Sequence, residues 1–86
     1  MLQVSATPKF RKMFSKLENS LKEEALIKIE MLEDFNNHDG LKVHKLKGNH
    51  KNHYSFSVNY KIRGVFVYLT KQEIVLTAIG DHDVYT

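Results

Sequence analysis

The hydrophobic positions of this 86-residue chain follow two different periods. In residues 8–35, apolar side chains recur every three or four positions, the spacing that places them on one face of an α-helix. From residue 41 onward they recur at every second position, the spacing of a strand with one buried face. The pattern therefore predicts helices in the first half of the chain and most of the strands in the second.

The first half is predicted to form a short strand and two helices. Residues 2–6 alternate apolar and polar, which indicates a strand. Thr7 and Pro8 supply an N-cap and a proline at the first helical position. Ser20 and Glu23 form the capping-box pattern that begins a second helix, and turn residues 36–40 end it. The apolar face of the first helix is Phe10, Met13, Phe14 and Leu17. That of the second is Leu21, Ala25, Ile29 and Leu32, widened by Leu26, Ile27, Met31 and Phe35.

The second half is predicted to form four strands, at residues 41–46, 54–58, 62–69 and 73–79, with turns at 59–61 and 70–72. Ser55, Ser57 and Asn59 alternate with apolar residues and should lie on a polar outer face. The order β-α-α-β-β-β-β predicts an α+β fold, in which an N-terminal helical hairpin packs on one face of a mainly antiparallel, twisted sheet. Residues 1–86 should form a single domain.

Composition limits the class of protein. The chain is 42% hydrophobic and 27% charged, as is ordinary for a soluble globular protein. It contains no cysteine, so disulfides and thiolate zinc sites are excluded. No apolar run approaches the roughly 18 residues of a membrane span, and no signal-peptide pattern is present. We therefore expect a cytoplasmic protein without a membrane partner.

The net charge of +3 is unevenly distributed. Residues 42–51 contain four lysines and two histidines and no acidic residue, whereas most glutamates lie in residues 18–33. This separation is typical of a groove that faces a polyanion. A solvated, lysine-rich edge strand that discourages aggregation explains it equally well.

The candidate chemistry lies in four segments. Residues 80–86 place a histidine, two aspartates and a tyrosine directly after an apolar strand. Taken in order with residues 44–48, 54–58 and 60–63, the segment 79–85 makes the chain resemble the RelE/ParE toxin superfamily. These are small basic toxins of bacterial type II toxin–antitoxin pairs. The resemblance implies a RelE-like fold and a metal-independent endoribonuclease, an mRNA interferase that cleaves mRNA on the ribosome and inhibits translation.

The resemblance also implies roles for individual residues. Arg63, His82 and Tyr85 match the family's catalytic positions, and His44 matches a histidine of some RNA-cleaving branches. A histidine titrates near neutrality, and the flanking aspartates favour the imidazolium form of His82, which suits a general acid. Arg63 offers a planar, charged fork to phosphate, and Tyr85 offers a ring to an unpaired base. The RNA-binding residues would be Lys45, Lys47, Lys51, Ser55, Ser57 and Lys61.

Each of these residues also has a purely structural explanation. His82 can be a solvated terminal residue, Tyr85 can cover the edge of the core, and Arg63 can pair with a helix glutamate or the C-terminus. His44 can be an ordinary edge-strand residue. A metal site from His44, His50, His53, His82, Asp81 and Asp83 is not expected, because no recognised ligand motif is present, and no cofactor is expected.

Two other functions remain open. The chain carries Ser55 and Ser57 where the best-known RelE-type nucleases carry lysines, and serine cannot stabilise developing negative charge as an ammonium group does. A degenerate toxin that serves as antitoxin partner and co-repressor is therefore one alternative. A non-enzymatic, ParE-like inhibitor of DNA gyrase is the other. In each case the predicted partner is a cognate antitoxin that covers the basic groove; the nuclease would also bind mRNA and the ribosome.

Overall fold

The computed structural model describes residues 1–48, 52–81 and 84, and the predicted order of elements is confirmed. Strand β1 is Gln3–Ala6, helix α1 is Pro8–Ser15, helix α2 is Asn19–Leu32, and a 3₁₀ turn covers Phe35–Asn37. The remaining strands are β2 (His44–Lys45), β3 (His53–Ser57), β4 (Arg63–Thr70) and β5 (Glu73–Gly80). Among the described residues, no helix has the length and apolar character needed to cross a membrane.

The strands form one mixed sheet in the order β1-β5-β4-β3-β2. β1 pairs with β5 in parallel, and the other neighbours are antiparallel. The two helices lie between β1 and the antiparallel strands in the chain, so they form the connection that brings β1 back beside β5. The predicted α+β fold class is therefore confirmed.

The hydrophobic core lies between the helices and one face of the sheet. Alternate positions of the strands supply its larger side chains, as period-two patterning requires. The buried members of the core from the sheet are Phe56, Phe66, Ile74, Leu76 and Ile79, and those from the helices are Phe10, Ala25 and Leu32. The residues between them on each strand project to the other face, which the helices do not cover.

The start of α1 is confirmed and the predicted start of α2 is wrong. The Thr7 side chain accepts a hydrogen bond from the backbone N–H of Phe10 at 3.1 Å, as an N-cap does. In contrast, α2 begins at Asn19, and its N-cap Glu18 makes no side-chain capping bond. Because the N–H of Lys22 already donates to the Glu18 carbonyl at 2.9 Å, Ser20 lies inside the first turn and cannot cap it.

The prediction that four further apolar residues widen the buried stripe of α2 is also wrong. The exposed fractions are 56% for Leu26, 59% for Ile27, 36% for Met31 and 55% for Phe35. The buried side of α2 contains Ala25 and Leu32, which are fully covered. α2 ends at Leu32, and Phe35 belongs to the separate 3₁₀ turn. The helix is thus apolar on two sides and packs only one of them.

The predicted strand at residues 41–46 is reduced to β2, two residues long. The N–H groups of Leu41, Lys42 and Val43 donate to carbonyls of residues 37–39 at 2.9–3.0 Å, and Lys42 has a left-handed φ of 56°. These residues therefore form a turn. The other strand ends differ from prediction by about one residue: β1 begins at Gln3, β4 spans Arg63–Thr70, and β5 extends to Gly80.

An aromatic cluster covers one end of the sheet on the helix side. The Tyr54 ring stacks on Phe66 with centroids 5.6 Å apart, and Tyr68 meets Tyr54 edge-on at 5.2 Å. Burial raises the pKa of the Tyr68 phenol, and the neighbouring Tyr54 raises it further. Tyr68 therefore keeps its proton in the folded state at neutral pH.

Candidate functional site

Two rows of facing residues cross the sheet on the side away from the helices. Paired residues of neighbouring strands project to the same face, and residues two apart on a strand lie about 6.6 Å apart. The first row is Ser57, Arg63 and Gly80, and the second row is His44, Ser55, Val65 and Ala78. We call this the open face. The structure therefore brings together four of the predicted site residues, Arg63, His44, Ser55 and Ser57.

Arg63 begins β4 and is held at the edge of the open face by one end of its guanidinium group. Nη1 donates to the Ser57 hydroxyl at 3.1 Å, to the Ile62 carbonyl at 3.3 Å and to the Asn59 carbonyl. Within the described part of the chain, these hydrogen bonds all use Nη1. The half-buried side chain is therefore fixed at one nitrogen, and Nη2 and Nε are left to bind an anion.

Asn59 organises the β3–β4 turn beneath Arg63. Its Oδ1 accepts from the backbone N–H groups of Lys61 and Ile62 at 2.8 and 2.7 Å. Its Nδ2 donates to the Glu24 carboxylate on α2. Asn59 thus fixes the turn that carries Arg63 and connects it to the helix layer.

Asn59→Ala is expected to lower the free energy of unfolding by about 2 kcal/mol, since two backbone donors lose their acceptor. Urea unfolding measures this loss from the midpoint, provided the slope is unchanged. The double variant Asn59→Asp/Glu24→Gln is the matched control, because it keeps the acceptor for both N–H groups and avoids placing two carboxylates side by side. An equal loss in both variants would mean that the turn does not depend on Oδ1.

His44 lies on β2, at the exposed edge of the open face. Its Nδ1 lies 3.0 Å from the Lys42 carbonyl, which can only accept a hydrogen bond, so Nδ1 carries a proton. In the neutral ring Nε2 then carries the lone pair. The Ser55 hydroxyl lies 3.3 Å from Nε2 and 3.5 Å from Nδ1, so neither contact is a short hydrogen bond. His44 can therefore accept a proton at Nε2.

The predicted exposure of the polar residues on β3 is only partly correct. Ser55 lies on the open face but is 0% exposed, so its hydroxyl meets His44 and is not presented at the surface. Ser57 is half-buried and donates to the Asn59 carbonyl at 2.9 Å. Asn59 is bound to Glu24, as described above. Ser55 therefore contacts His44, Ser57 contacts Arg63, and Asn59 fixes the turn that precedes Arg63.

The predicted RNA-binding lysines are not all on the same side. Lys45 faces Tyr54, so strand alternation places it on the side of the sheet opposite to His44. Lys47 is exposed just beyond β2, and Lys61 is exposed in the turn before Arg63. In the sequence, Lys47 and Lys61 are therefore next to strands that contribute to the open face. Lys45 is on the edge strand and projects to the opposite side of the sheet.

Three predicted site residues, His82, Tyr85 and Lys51, lie outside the described residues. The described residues next to His82 and Tyr85 are Asp81 and Val84, and they lie at the open face. Asp81 follows β5, and the N–H of Val84 donates to the Asp81 carbonyl at 3.0 Å. In the sequence, His82 is therefore two residues beyond Gly80, where β5 ends opposite Arg63.

A cleft of about 320 Å³ opens beside the second row. It is lined by Thr7, Lys9, Leu46, His53, Val65, Thr77, Ala78 and Val84. The sequence assigned His53 no role beyond a metal site that was not expected, and it assigned none to Lys9. His53 precedes Ser55 by two residues, so period-two alternation already placed both on one face. Nothing in the sequence pattern indicated that the first turn of α1 would reach this cleft.

The open face combines a fixed guanidinium on β4 with an imidazole on β2, in the neighbouring row and with β3 between the two strands. Such a pair can bind a phosphate and accept a proton. Among the described residues, no three carboxylate or imidazole side chains come together as metal ligands.

No family model matches the chain, and no curated protein matches its sequence. Solved structures match it over nearly its full length. The solution structure of the conserved hypothetical protein HP0894 from Helicobacter pylori has a TM-score of 0.76 at 20% identity and covers 100% of both chains. The RelE–RelB complex from the archaeon Pyrococcus horikoshii OT3 has a TM-score of 0.71 at 17% identity, and the match covers 93% of each chain.

The YoeB–YefM toxin–antitoxin heterotetramer from Staphylococcus aureus gives a TM-score of 0.70 at 20% identity, covering 95% of this chain and 98% of that chain. The structural neighbours of this chain thus include RelE- and YoeB-type toxins, and the fold is RelE-like. At these identities the likeness establishes the fold alone.

Proposed function

We propose that this chain is the toxin of a type II toxin–antitoxin pair, an endoribonuclease that cleaves mRNA on the ribosome, in the cytoplasm, and inhibits translation. The supporting observation is the placement of Arg63 and His44 in adjacent rows of the open face, in a fold shared with RelE and YoeB. The C-terminal segment with His82 begins at the end of the first row.

In the proposed reaction, the 2′-hydroxyl of a ribose attacks the adjacent phosphorus and the P–O5′ bond breaks. Nε2 of His44 accepts the 2′-hydroxyl proton, because its Nδ1–H is committed to the Lys42 carbonyl. His82 donates a proton to the departing 5′-oxygen. The products are a 2′,3′-cyclic phosphate and a 5′-hydroxyl end, so the step needs no metal and consumes no co-reactant.

Arg63 stabilises the charge that accumulates on the non-bridging phosphate oxygens. Its fixed Nη1 leaves the rest of the fork directed at the substrate, which is the preorganised arrangement that favours a transition state. Lys47, Lys51 and Lys61 contact neighbouring phosphates, since such contacts need only charge and reach. Tyr85 stacks on an unpaired base of the bound strand. A cognate antitoxin covers this face when the toxin is held inactive.

His82→Ala is expected to reduce mRNA cleavage by roughly 100-fold, the lower range of the contribution of a general acid. The measurement is tightly controlled induction of wild-type and variant protein, followed by primer extension on abundant transcripts. Circular dichroism checks that the variant is folded. Unchanged cuts would remove His82 from the mechanism.

The alternative functions give different results with purified wild-type protein. The nuclease cuts mRNA in a purified translation system that contains ribosomes, and it leaves DNA gyrase supercoiling unchanged. Inhibition of gyrase without RNA cleavage would favour the ParE-like alternative. Binding to an antitoxin with neither activity would favour the degenerate toxin.

A further inference from the structure

The side of α2 that faces away from the sheet forms an apolar and acidic surface. We define the α2 outer face as Glu23, Leu26, Ile27, Glu30, Met31 and Phe35. Its four apolar members are 36–59% exposed, although each is a large hydrophobic side chain. Contiguous exposed apolar surface of this kind marks an interaction site in a soluble protein.

Clefts on both sides extend the α2 outer face. One, of about 740 Å³, is lined by Met1 beside Ile27 and Met31, with Glu30, Glu33, Asp34 and Asn37. The other, also about 740 Å³, is lined by residues 68–72 beside Phe35 and includes Leu69, which is 64% exposed. The exposed apolar surface therefore continues from α2 into two clefts, of which one shares Ile27 and Met31 with the α2 outer face and the other shares Phe35.

The charged residues of the α2 outer face are both acidic, although the chain as a whole has a net charge of +3. In the adjoining clefts, Glu30, Glu33 and Asp34 line one cleft and Lys71 lines the other, so the surface as a whole is more acidic than basic. Glu23 and Glu30 are exposed and seven residues apart, so they lie on the same side of α2. Around the axis of α2, Lys28 lies roughly 100° from Ile27 in one direction and Lys22 roughly 140° in the other. Both lysines therefore lie toward the packed side of the helix. The α2 outer face thus presents apolar side chains bordered by carboxylates.

The combination of exposed apolar side chains and carboxylates determines which kind of partner can bind the α2 outer face. RNA and anionic lipid are repelled by the carboxylates. A symmetric dimer of this chain would bring the carboxylates of the two copies together at the contact. The complementary partner is a protein segment whose large apolar side chains are flanked by lysine or arginine.

We infer that the α2 outer face binds an amphipathic, basic helix of the cognate antitoxin. This inference rests on the proposed function. The apolar residues of α2 from Leu26 to Met31 span about 7.5 Å of helix, and Phe35 extends the surface past the end of α2, which suits about two turns of a docked helix. Because the opposite side of α2 packs on the helix-covered face of the sheet, this site lies away from the open face. The antitoxin would therefore use a basic segment here and a different segment over Arg63.

The test uses the antitoxin encoded by the reading frame adjacent to the gene of this protein. The variant Ile27→Lys/Met31→Lys removes two apolar anchors and places positive charge on the face. We expect the dissociation constant to rise by about 30-fold or more, the size of effect that anchoring residues at an interface produce. Glu23→Lys/Glu30→Lys should weaken binding as well and reduce its dependence on salt.

Lys12→Ser, at an exposed position on α1, is the matched control and should bind as the wild type does. RNA cleavage by the free protein is measured separately and should be equal in all variants. Absence of RNA cleavage by the wild-type protein would overturn the proposed function. Absence of an adjacent antitoxin gene would overturn both the proposed function and this inference, whereas wild-type affinity in both double variants would overturn this inference alone. Sedimentation that shows wild-type dimers and variant monomers would assign the face to a second copy of the chain.

Discussion

Arg63→Ala is expected to slow RNA cleavage by a factor of roughly 100 to 1,000, the cost of removing a preorganised group that faces developing charge. The bonds from Nη1 to Ser57 and Ile62, 3.1 and 3.3 Å long, fix the guanidinium before substrate binds. The rate under single-turnover conditions should fall more than the affinity for RNA does, because the charge to be stabilised grows in the transition state. Alanine also removes the hydrogen bonds around the β3–β4 turn, so urea unfolding must be measured in parallel.

Two further variants separate charge from geometry at this position. Arg63→Lys keeps a positive charge but loses the planar fork, so we expect it to recover RNA binding and little of the cleavage rate. Arg11→Ala removes an exposed arginine from α1 and should leave the cleavage rate unchanged. If Arg63→Ala cleaves as fast as the wild type while remaining folded, the open face is not the site of phosphate chemistry.

The order of elements could be predicted because the hydrophobic period changes only twice along the chain, from strand to helix spacing after residue 6 and back to strand spacing after residue 40. Helix α1 could also be placed, since Thr7 and Pro8 determine its start locally. The start of α2 could not, because Ser20 and Glu23 satisfy the capping-box pattern two residues too late. The hydrogen bond from the Lys22 N–H to the Glu18 carbonyl makes the helix begin earlier, at Asn19. Local patterns thus predict element type well and boundaries less well.

Periodicity alone was insufficient on α2 and β2. A helix with apolar residues on two sides gives no sequence signal for which side is buried, and only packing distinguishes Leu32 from Met31. On β2, the alternation of residues 41–46 suggested a full strand, but the N–H groups of Leu41 and Lys42 are used in a turn. Tertiary context determined both outcomes.

The candidate site could be predicted as far as strand register allows. Arg63 and Ser57 share a row because β3 and β4 form a hairpin, which alternation and a short turn predict. The position of His44 opposite Ser55, and the complete burial of Ser55, depend on how far β2 extends along β3. That register is set by the turn at Lys42, which the hydrophobic pattern did not reveal.

Gly64→Ala is expected to lower the free energy of unfolding by about 3 kcal/mol, at the upper end of the cost of overpacking a core. A Cβ atom at position 64 would lie 2.3 Å from two carbons of the Phe56 ring, which is 0% exposed. The ring must shift into a core that also contains Phe66, with centroids 6.1 Å apart. For a domain of this size such a loss is a large part of the total stability, which is about 5–15 kcal/mol.

Gly80 provides the matched control, because among the described residues a Cβ atom there would meet only Val84, at an ordinary 3.7 Å. Gly80→Ala should therefore change the urea midpoint little. The double variant Gly64→Ala/Phe56→Leu tests the cause, since leucine removes the ring carbons that clash. Its destabilisation should be smaller than the sum of the two single losses by about 1–2 kcal/mol. Strict additivity would show that alanine at position 64 destabilises the strand for a reason other than the Phe56 ring.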